Sequence, residues 1–583
     1  MTHVNPFTRI GRVLHYHGEP VYLAGKYPTA SVPLDGLPDI DYEPVMRELA
    51  AQRNNFFRHW LFPYWLYPNP GNAYSPFRRP NGRWDLRPPY NADYFRRLDK
   101  LLRAALHHGI VVQVTLFDAP GLKGIRDIKL PDGTLHTRWE FSPWNDATNA
   151  PQDFIRDDVG GLDEFFDLAG IPGLAQAQKA FVDEVVGRTM GYWNVCYELM
   201  NECVGGAQPD REKRVRWMDT VTGWIDAKTG GSRLVFHSDY GEGANQSGAD
   251  VSHWGQNRGR FPNYEKLDGI IFHNNPRTVD PDDPRYACFR GQKVFQVSTD
   301  AFDGVKREEF AWNRDTTRQV FARKMMYQAE ASSANAARGI GQAAPSPTDL
   351  RLAPFTHLYR KTTTQGPQFD LRFFVDGGQG FFIGYRNAAP YGELTRGRVE
   401  DFRFEGETQS VRLYDRLVDQ THWWRYTFSG ETLTLENEDS GFRQTFQRLR
   451  RRAPVEAFVP FLYNWERVAA NGGPAQHFSM RFDIDGALRT YRLNPYRQID
   501  HHDVLAVSPA DAASGTITLY RFLNAFTATW RYTFETAQRL RLTTLDGAVY
   551  QVFEARPWYV PDSAVTAPAA AAESPLEAEL AAV

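Results

Sequence analysis

Six short apolar runs in the first 345 residues lead directly into side chains able to do acid–base or hydrogen-bonding chemistry. In chain order these are Arg58 with His59, Asp118, Asn201 with Glu202, Asp239, His273 with Asn274, and Asp300. If the runs are strands of one parallel barrel, the residues at their ends collect at the C-terminal rim, where such barrels carry their catalytic groups. That rim would present two carboxylates, Glu202 and Asp300, on the fourth and seventh strands. A facing pair of this kind suits glycosidic bond cleavage, in which one carboxyl protonates the leaving oxygen and the other attacks the anomeric carbon or activates water.

The elements that must hold these residues alternate between two periodicities. VYLAG (21–25), NFFRHWLF (55–62), IVVQVTLF (110–117), WNVCYELMN (193–201), RLVFHS (233–238), GIIFHN (269–274) and KVFQVS (293–298) read as strands. Helices are predicted over 41–53, over 92–109 with Gly109 as the stop, over 174–189, and around 211–228 and 315–332. An eighth strand is expected near ARGIGQ, 337–342. The fold class is therefore α/β, a (β/α)8 TIM barrel over residues 1–345.

Past residue 350 the helical periodicity ends and short alternating strands take over, an all-β region with an internal repeat. Leu413-Tyr414 and Trp424-Arg425-Tyr426-Thr427-Phe428 recur as Leu519-Tyr520 and Trp530-Arg531-Tyr532-Thr533-Phe534, both at an offset of 106. Two modules of sandwich or small-barrel type are expected, over 351–452 and 455–557, before a disordered Ala/Pro-rich tail over 562–583.

The 583 residues hold 67 Lys and Arg against 70 Asp and Glu, which argues against a phosphate-neutralising surface and so against nucleic acid as a partner. The three cysteines, Cys196, Cys203 and Cys288, form no CxxC pair, so neither a disulfide framework nor a zinc knuckle is expected. No run approaches the ~20 apolar residues of a membrane helix, and no basic and then apolar leader opens the chain. A cytoplasmic protein follows, or a secreted one if the start lies downstream of the true one. The His107-His108 pair reads as surface or packing on a helix. His501-His502 points to opposite faces of a strand, so no metal and no cofactor are expected.

WNVCYELMNE resembles the strand-four segment of the retaining glycoside hydrolases of clan A, the cellulase-like, mannanase-like and β-galactosidase-like enzymes, over about residues 10–340. The resemblance implies Glu202 as acid/base, Asn201 on the sugar 2-hydroxyl, Arg58 holding the nucleophile ionised and His273 at the strand-six His/Tyr position. It also implies that SPWNDATNAPQDF (142–154), with Trp144 and Asn145, lies at the substrate cleft; His59 and Asp118, at their strand ends, are further substrate-binding candidates. Two departures stand out. Asp300 in KVFQVSTDAFDG occupies the place of the clan's nucleophilic Glu, drawing the carboxylate back by ~1.5 Å at full reach. Retaining enzymes hold their carboxyls ~5–5.5 Å apart and inverting ones ~6.5–9.5 Å, so both outcomes stay open. The second departure is that ARGIGQ lacks the clan's strand-eight Trp, so either Trp139, Trp144 or Trp254 forms the sugar platform or the pocket is not built for an ordinary pyranose.

Each of these residues also has a plainer role. Asn-Glu can be a helix cap, Asp300 a cap or arginine partner with Asp303 as its rival, and Glu198 an inward structural carboxylate. The favoured function is hydrolysis of an O-glycosidic bond in a carbohydrate or glycosylated small molecule. The alternatives are an intracellular biosynthetic enzyme using the same carboxylates on a non-polysaccharide metabolite, and a barrel that binds carbohydrate without cleaving it.

Overall fold

The computed structural model describes residues 7–16, 19–27, 41–51, 54–62, 75–122, 124–130, 132–145, 162–203, 211–238, 259–272, 279–282, 284–289, 292–299, 326–330, 350–376, 379–387, 393–405, 408–449, 461, 464–471, 478–482, 487–493, 496–511, 513–521, 526–536 and 538–556. It divides into two compact units, one of residues 1–344 with 348–350 and one of 345–347 with 351–583. Among the described residues no helix is long and apolar enough to cross a membrane.

The first unit is organised by eight strands: β1 (Ala24–Tyr27), β2 (Phe56–Trp60), β3 (Val111–Asp118), β4 (Val195–Asn201), β5 (Val235–Ser238), β6 (Gly269–Phe272), β7 (Val294–Thr299) and β8 (Met326–Glu330). Their order in the sheet is β1-β8-β7-β6-β5-β4-β3-β2, and every pairing in it is parallel. β3 and β4 are buried at every position, as strands covered on both faces must be. β1 and β2, at the two ends of that order, are stitched together by Asn55. Its backbone N–H donates to Ala24 O at 3.1 Å, and its side chain accepts from Ala24 N and donates to Tyr22 O, each at 2.9 Å. A Cβ on Gly25 would lie 1.8 Å from Phe56 O, so only glycine allows this approach. The sheet also curls enough for Gln113 on β3 and Gln296 on β7 to exchange two amide hydrogen bonds of 2.9 Å across its interior. These features make it a TIM-like parallel sheet.

Helices α1 (Glu43–Ala51), α2 (Ala92–His107), α3 (Leu162–Phe166), α4 (Pro172–Thr189), α5 (Arg211–Thr229) and α6 (Pro262–Lys266) fill the connections. α2 starts at Asn91, whose side chain accepts from the Asp93 and Tyr94 amides, and its buried face carries Tyr94, Phe95, Leu98, Leu101, Leu102 and Ala105. It stops where Gly109 turns to a φ of 66°. One expectation fails here. The window around 315–332, read as a helix, contains β8, and 337–342, read as the eighth strand, lies outside the described residues. The short apolar run around Met326 has the same signature as one buried helical turn, so periodicity alone cannot separate the two.

In the second unit each repeat closes into an eight-stranded antiparallel barrel, which removes the sandwich alternative. The first barrel runs from Leu358–Lys361 to Arg443–Arg448 and closes by pairing Tyr359 with Arg448. The second runs from Asn464–Ala470 to Tyr550–Arg556 and closes by pairing Asn464 with Arg556. The repeat is structural as well as textual, because Val411 pairs with Trp424 as Ile517 pairs with Trp530. Each barrel is plugged by a Phe just before its first strand. Phe355 lies 4.8 Å from the Tyr426 ring and 5.1 Å from Phe428; Phe461 lies 5.0 Å from both Tyr532 and Phe534. An eight-stranded barrel is just wide enough for side chains to fill, and these rings fill it.

The barrels also meet within this unit. Tyr520 donates to Asp370 at 2.9 Å, and Tyr520 packs with Leu358, Ile383 and Tyr385 of the first barrel. Arg372 pairs at 3.3 Å with Asp503, both side chains being almost fully buried.

Candidate active site

Strand ends on the C-terminal side of the parallel sheet bring Arg58, Asp118, Asn201 and Glu202 together. Alternation along β2 turns Arg58 into the sheet's interior, where it meets inward residues of β3 and β4. Its Nε donates to Glu198 Oε2 at 2.6 Å, and Nη2 donates both to Glu198 Oε1 and, at 2.7 Å, to Asn201 Oδ1. Thr115 on β3 adds a 2.5 Å hydrogen bond to Glu198 Oε2. Asn201 Nδ2 donates to Asp118 Oδ1 at 3.0 Å. The side chains of Arg58 and Glu198 are 0% exposed.

This fork geometry matters because an unpaired charge in the interior is costly, whereas a bidentate guanidinium–carboxylate pair with its remaining lone pairs satisfied is tolerated. The amide of Asn201 is thereby held at both ends, by Arg58 on its oxygen and Asp118 on its nitrogen. The next residue, Glu202, leaves the strand with a φ of 43°, and its backbone N–H donates to Ser238 Oγ at the end of β5 at 3.2 Å. A positive φ is unfavourable for a residue bearing a Cβ and is found where surrounding structure holds it, often at functional sites. Glu202 is half-buried, so its carboxyl belongs to a residue that water reaches, unlike that of Glu198.

The remaining expected site residues are placed differently. His59 sits on the opposite side of β2 from Arg58, shares that side with Phe57 at a ring distance of 6.2 Å, and joins no hydrogen bond among the described residues. Burial pushes its pKa down to about 4, which makes it a neutral packing residue. Trp144 is a core residue, not a cleft platform. It is 5% exposed and packs against Phe77, Phe117 and Phe165 at 5.4–5.7 Å. Asn145 caps the turn beside it by donating from Nδ2 to Trp139 O at 2.9 Å. Trp139 is buried as well. Apolar burial has claimed these rings, and the sequence motif alone could not show which way they faced. His273, Asp300, Asp239, Asn274, Asp303 and Trp254 lie outside the described residues.

Glu198 and Thr115 are the contributors that motif reading undervalued. A signal for them existed: Gln113 and Thr115 are polar residues inside the apolar run of β3, two apart and hence on one face, and Glu198 interrupts β4 in the same way. Among the described residues the arrangement offers no cluster of His, Cys or carboxylates able to hold a metal at this end of the sheet.

No protein-family model matches the chain, and no curated protein matches it. Among solved structures the chain is similar to the endo-1,4-beta-mannanase from Rhizomucor miehei, at 14% identity with 58% of this chain and 98% of that one covered and a TM-score of 0.39. It is similar also to the beta-mannanase from the blue mussel Mytilus edulis, at 11% identity, 59% and 98% coverage and a TM-score of 0.40. Endo-glycoceramidase II from Rhodococcus sp. is similar at 13% identity, 74% and 97% coverage and a TM-score of 0.35.

Proposed function

We propose that the first unit is a (β/α)8 glycoside hydrolase that cleaves O-glycosidic bonds, with Glu202 as general acid/base and Asp300 as nucleophile or water-activating base. The observation that carries this reading is the buried chain Glu198–Arg58–Asn201–Asp118, which runs through Asn201, the residue next to Glu202. A hydrogen-bonding network sunk into a strand-end position fixes Asn201 to a narrow range of orientations. That is what a group contacting a sugar hydroxyl needs.

In this mechanism the Glu202 carboxyl gives its proton to the glycosidic oxygen as the bond from that oxygen to the anomeric carbon breaks. Asp300 follows β7 in the sequence, and β6 and β5 lie between β7 and β4 in the sheet order. Its carboxylate either bonds to the anomeric carbon, in which case water later displaces it with Glu202 taking the proton back, or it deprotonates a water that attacks directly. Asn201, Asp118 and His273 orient the substrate. Arg58 acts through Asn201 and Glu198.

Glu202→Gln, assayed with a panel of aryl glycosides, should lower kcat/KM by about 10²–10⁴ with the fold intact. Unchanged turnover would remove Glu202 from the chemistry. Following the anomeric configuration of the product by NMR assigns Asp300, since net retention requires a covalent intermediate and inversion a direct water attack. Tight oligosaccharide binding with no turnover on any glycoside would favour a binding barrel instead.

A further inference from the structure

The strongest convergence of metal-type donors among the described residues lies on the helical layer of the first unit, and it involves neither Glu202 nor Arg58. α2 ends at His107 and is capped by His108, whose φ of −92° and ψ of 8° have already left the helix. This break turns two adjacent imidazoles, which on a regular strand would face apart, into a stacked pair with centroids 4.8 Å apart and planes 26° from parallel. Glu43, the first residue of α1, reaches both of them. His107 Nδ1 is 2.8 Å and His108 Nε2 2.7 Å from the same carboxylate oxygen, Oε1. The three donor atoms lie within 4.8 Å of one another.

We propose that Glu43, His107 and His108 form a site for one divalent transition-metal ion of the Zn²⁺ class, tying the start of α1 to the end of α2. Two imidazoles and one carboxylate are a borderline-soft donor set, which suits Zn²⁺ or Co²⁺ and not Mg²⁺ or Ca²⁺, whose ligands are oxygens. Around tetrahedral Zn²⁺ with ligands at ~2.0–2.1 Å, donor atoms stand roughly 3.3 Å apart, so each His–Glu separation needs to open by only about 0.5 Å. The Glu43 and His107 side chains are 31% and 44% exposed, leaving an entry path and a fourth position for water. The site lies where α2 leads into the start of β3, at the end of the sheet opposite Glu202, so the ion braces the fold and takes no part in turnover.

The test uses the full-length, tag-free chain, freed of metal with a chelator and titrated with ZnCl2 and CoCl2, in parallel with His107→Ala/His108→Ala and Glu43→Gln. The parent protein should bind one Zn²⁺ more than the double variant, and Glu43→Gln should weaken that ion's Kd at least tenfold. Co²⁺ should give visible absorption of tetrahedral intensity in the parent protein alone, and all three proteins should show the same circular dichroism. Equal zinc stoichiometry and affinity in the parent and the double variant would overturn the proposal, since the other histidines of the 15 would then account for the binding. A Co²⁺ spectrum unchanged by Glu43→Gln would remove the carboxylate from the site and overturn it equally.

Discussion

The parallel sheet and the two antiparallel barrels are all eight-stranded, and they fill their interiors in opposite ways. Inside the parallel sheet stand Arg58, Gln113, Thr115, Glu198 and Gln296, joined by hydrogen bonds. Inside the barrels stand Phe355, Phe373, Tyr426 and Leu433, or Phe461, Trp465, Tyr532 and Leu540. Apolar filling is the solution that burial energy alone selects, at about 25 cal/mol per Å². Buried charges return little net stability against their desolvation, so a polar interior marks the region organised for something besides folding. By this contrast the candidate site belongs to the parallel sheet, and the barrels are bodies packed by their own aromatic and aliphatic side chains.

Breaking the contrast at its core should have the largest effects. Phe355→Ala and Phe461→Ala should each destabilise the second unit by about 3–5 kcal/mol in guanidinium denaturation, leaving the proposed aryl-glycoside turnover unchanged. Glu198→Gln leaves Arg58 buried beside a neutral partner and should destabilise the first unit by about 3–5 kcal/mol. The double change Arg58→Met/Glu198→Met should recover most of that loss while abolishing turnover. Recovery of both stability and turnover would mean that the pair serves folding alone.

A smaller effect should come from pH. His59 has a folded pKa of about 4 against 6.5 for the free group, so between those values the unfolded chain binds the proton that the folded one refuses. Stability contributed by the neutral ring is therefore complete above about pH 7, falls as pH drops through 6.5, and levels off below 4, a loss of about 3 kcal/mol. The His59→Phe variant should lack this step in a pH series of denaturation curves, and a step that persists would assign it to another group.

The smallest effect separates the two barrels from each other. Tyr414 bonds Asp419 in its own turn at the surface, whereas its repeat counterpart Tyr520 is buried and bonds Asp370 of the neighbouring barrel. Burial and that carboxylate push the Tyr520 phenol well above its ordinary pKa. Tyr520→Phe should cost about 1 kcal/mol, the net worth of one hydrogen bond to a carboxylate that Arg360 still holds at 2.9 Å, and Tyr414→Phe close to nothing. Equal effects would mean that the cross-barrel contact contributes no stability.

Much of this was legible residue by residue. The glycine stop at Gly109, the apolar face of α2 and the strand IVVQVTLF follow from periodicity, and the offset of 106 between Trp424 and Trp530 reproduces in the cross-strand pairs. What was not legible depended on direction. Trp144 read as a cleft aromatic and is a core one, because a ring beside a polar motif has the same sequence signature either way. The helix expected over 315–332 contains β8 because both patterns are one short apolar run. His107-His108 read as a surface or packing pair because nothing in the local sequence points to Glu43.

By itself, then, the amino-acid sequence determined most of the strands and helices of the first unit, that the β region is duplicated, and that Asp118 and Glu202 stand at strand ends. Alternation and helical period are local properties, written in neighbours a few residues apart. The tertiary structure decided who meets whom: Arg58 with Glu198 across 140 residues, Asn55 sealing β1 to β2, and Tyr520 reaching Asp370. Those pairings depend on sheet order, curl and closure, which arise only when whole elements compete to bury their faces.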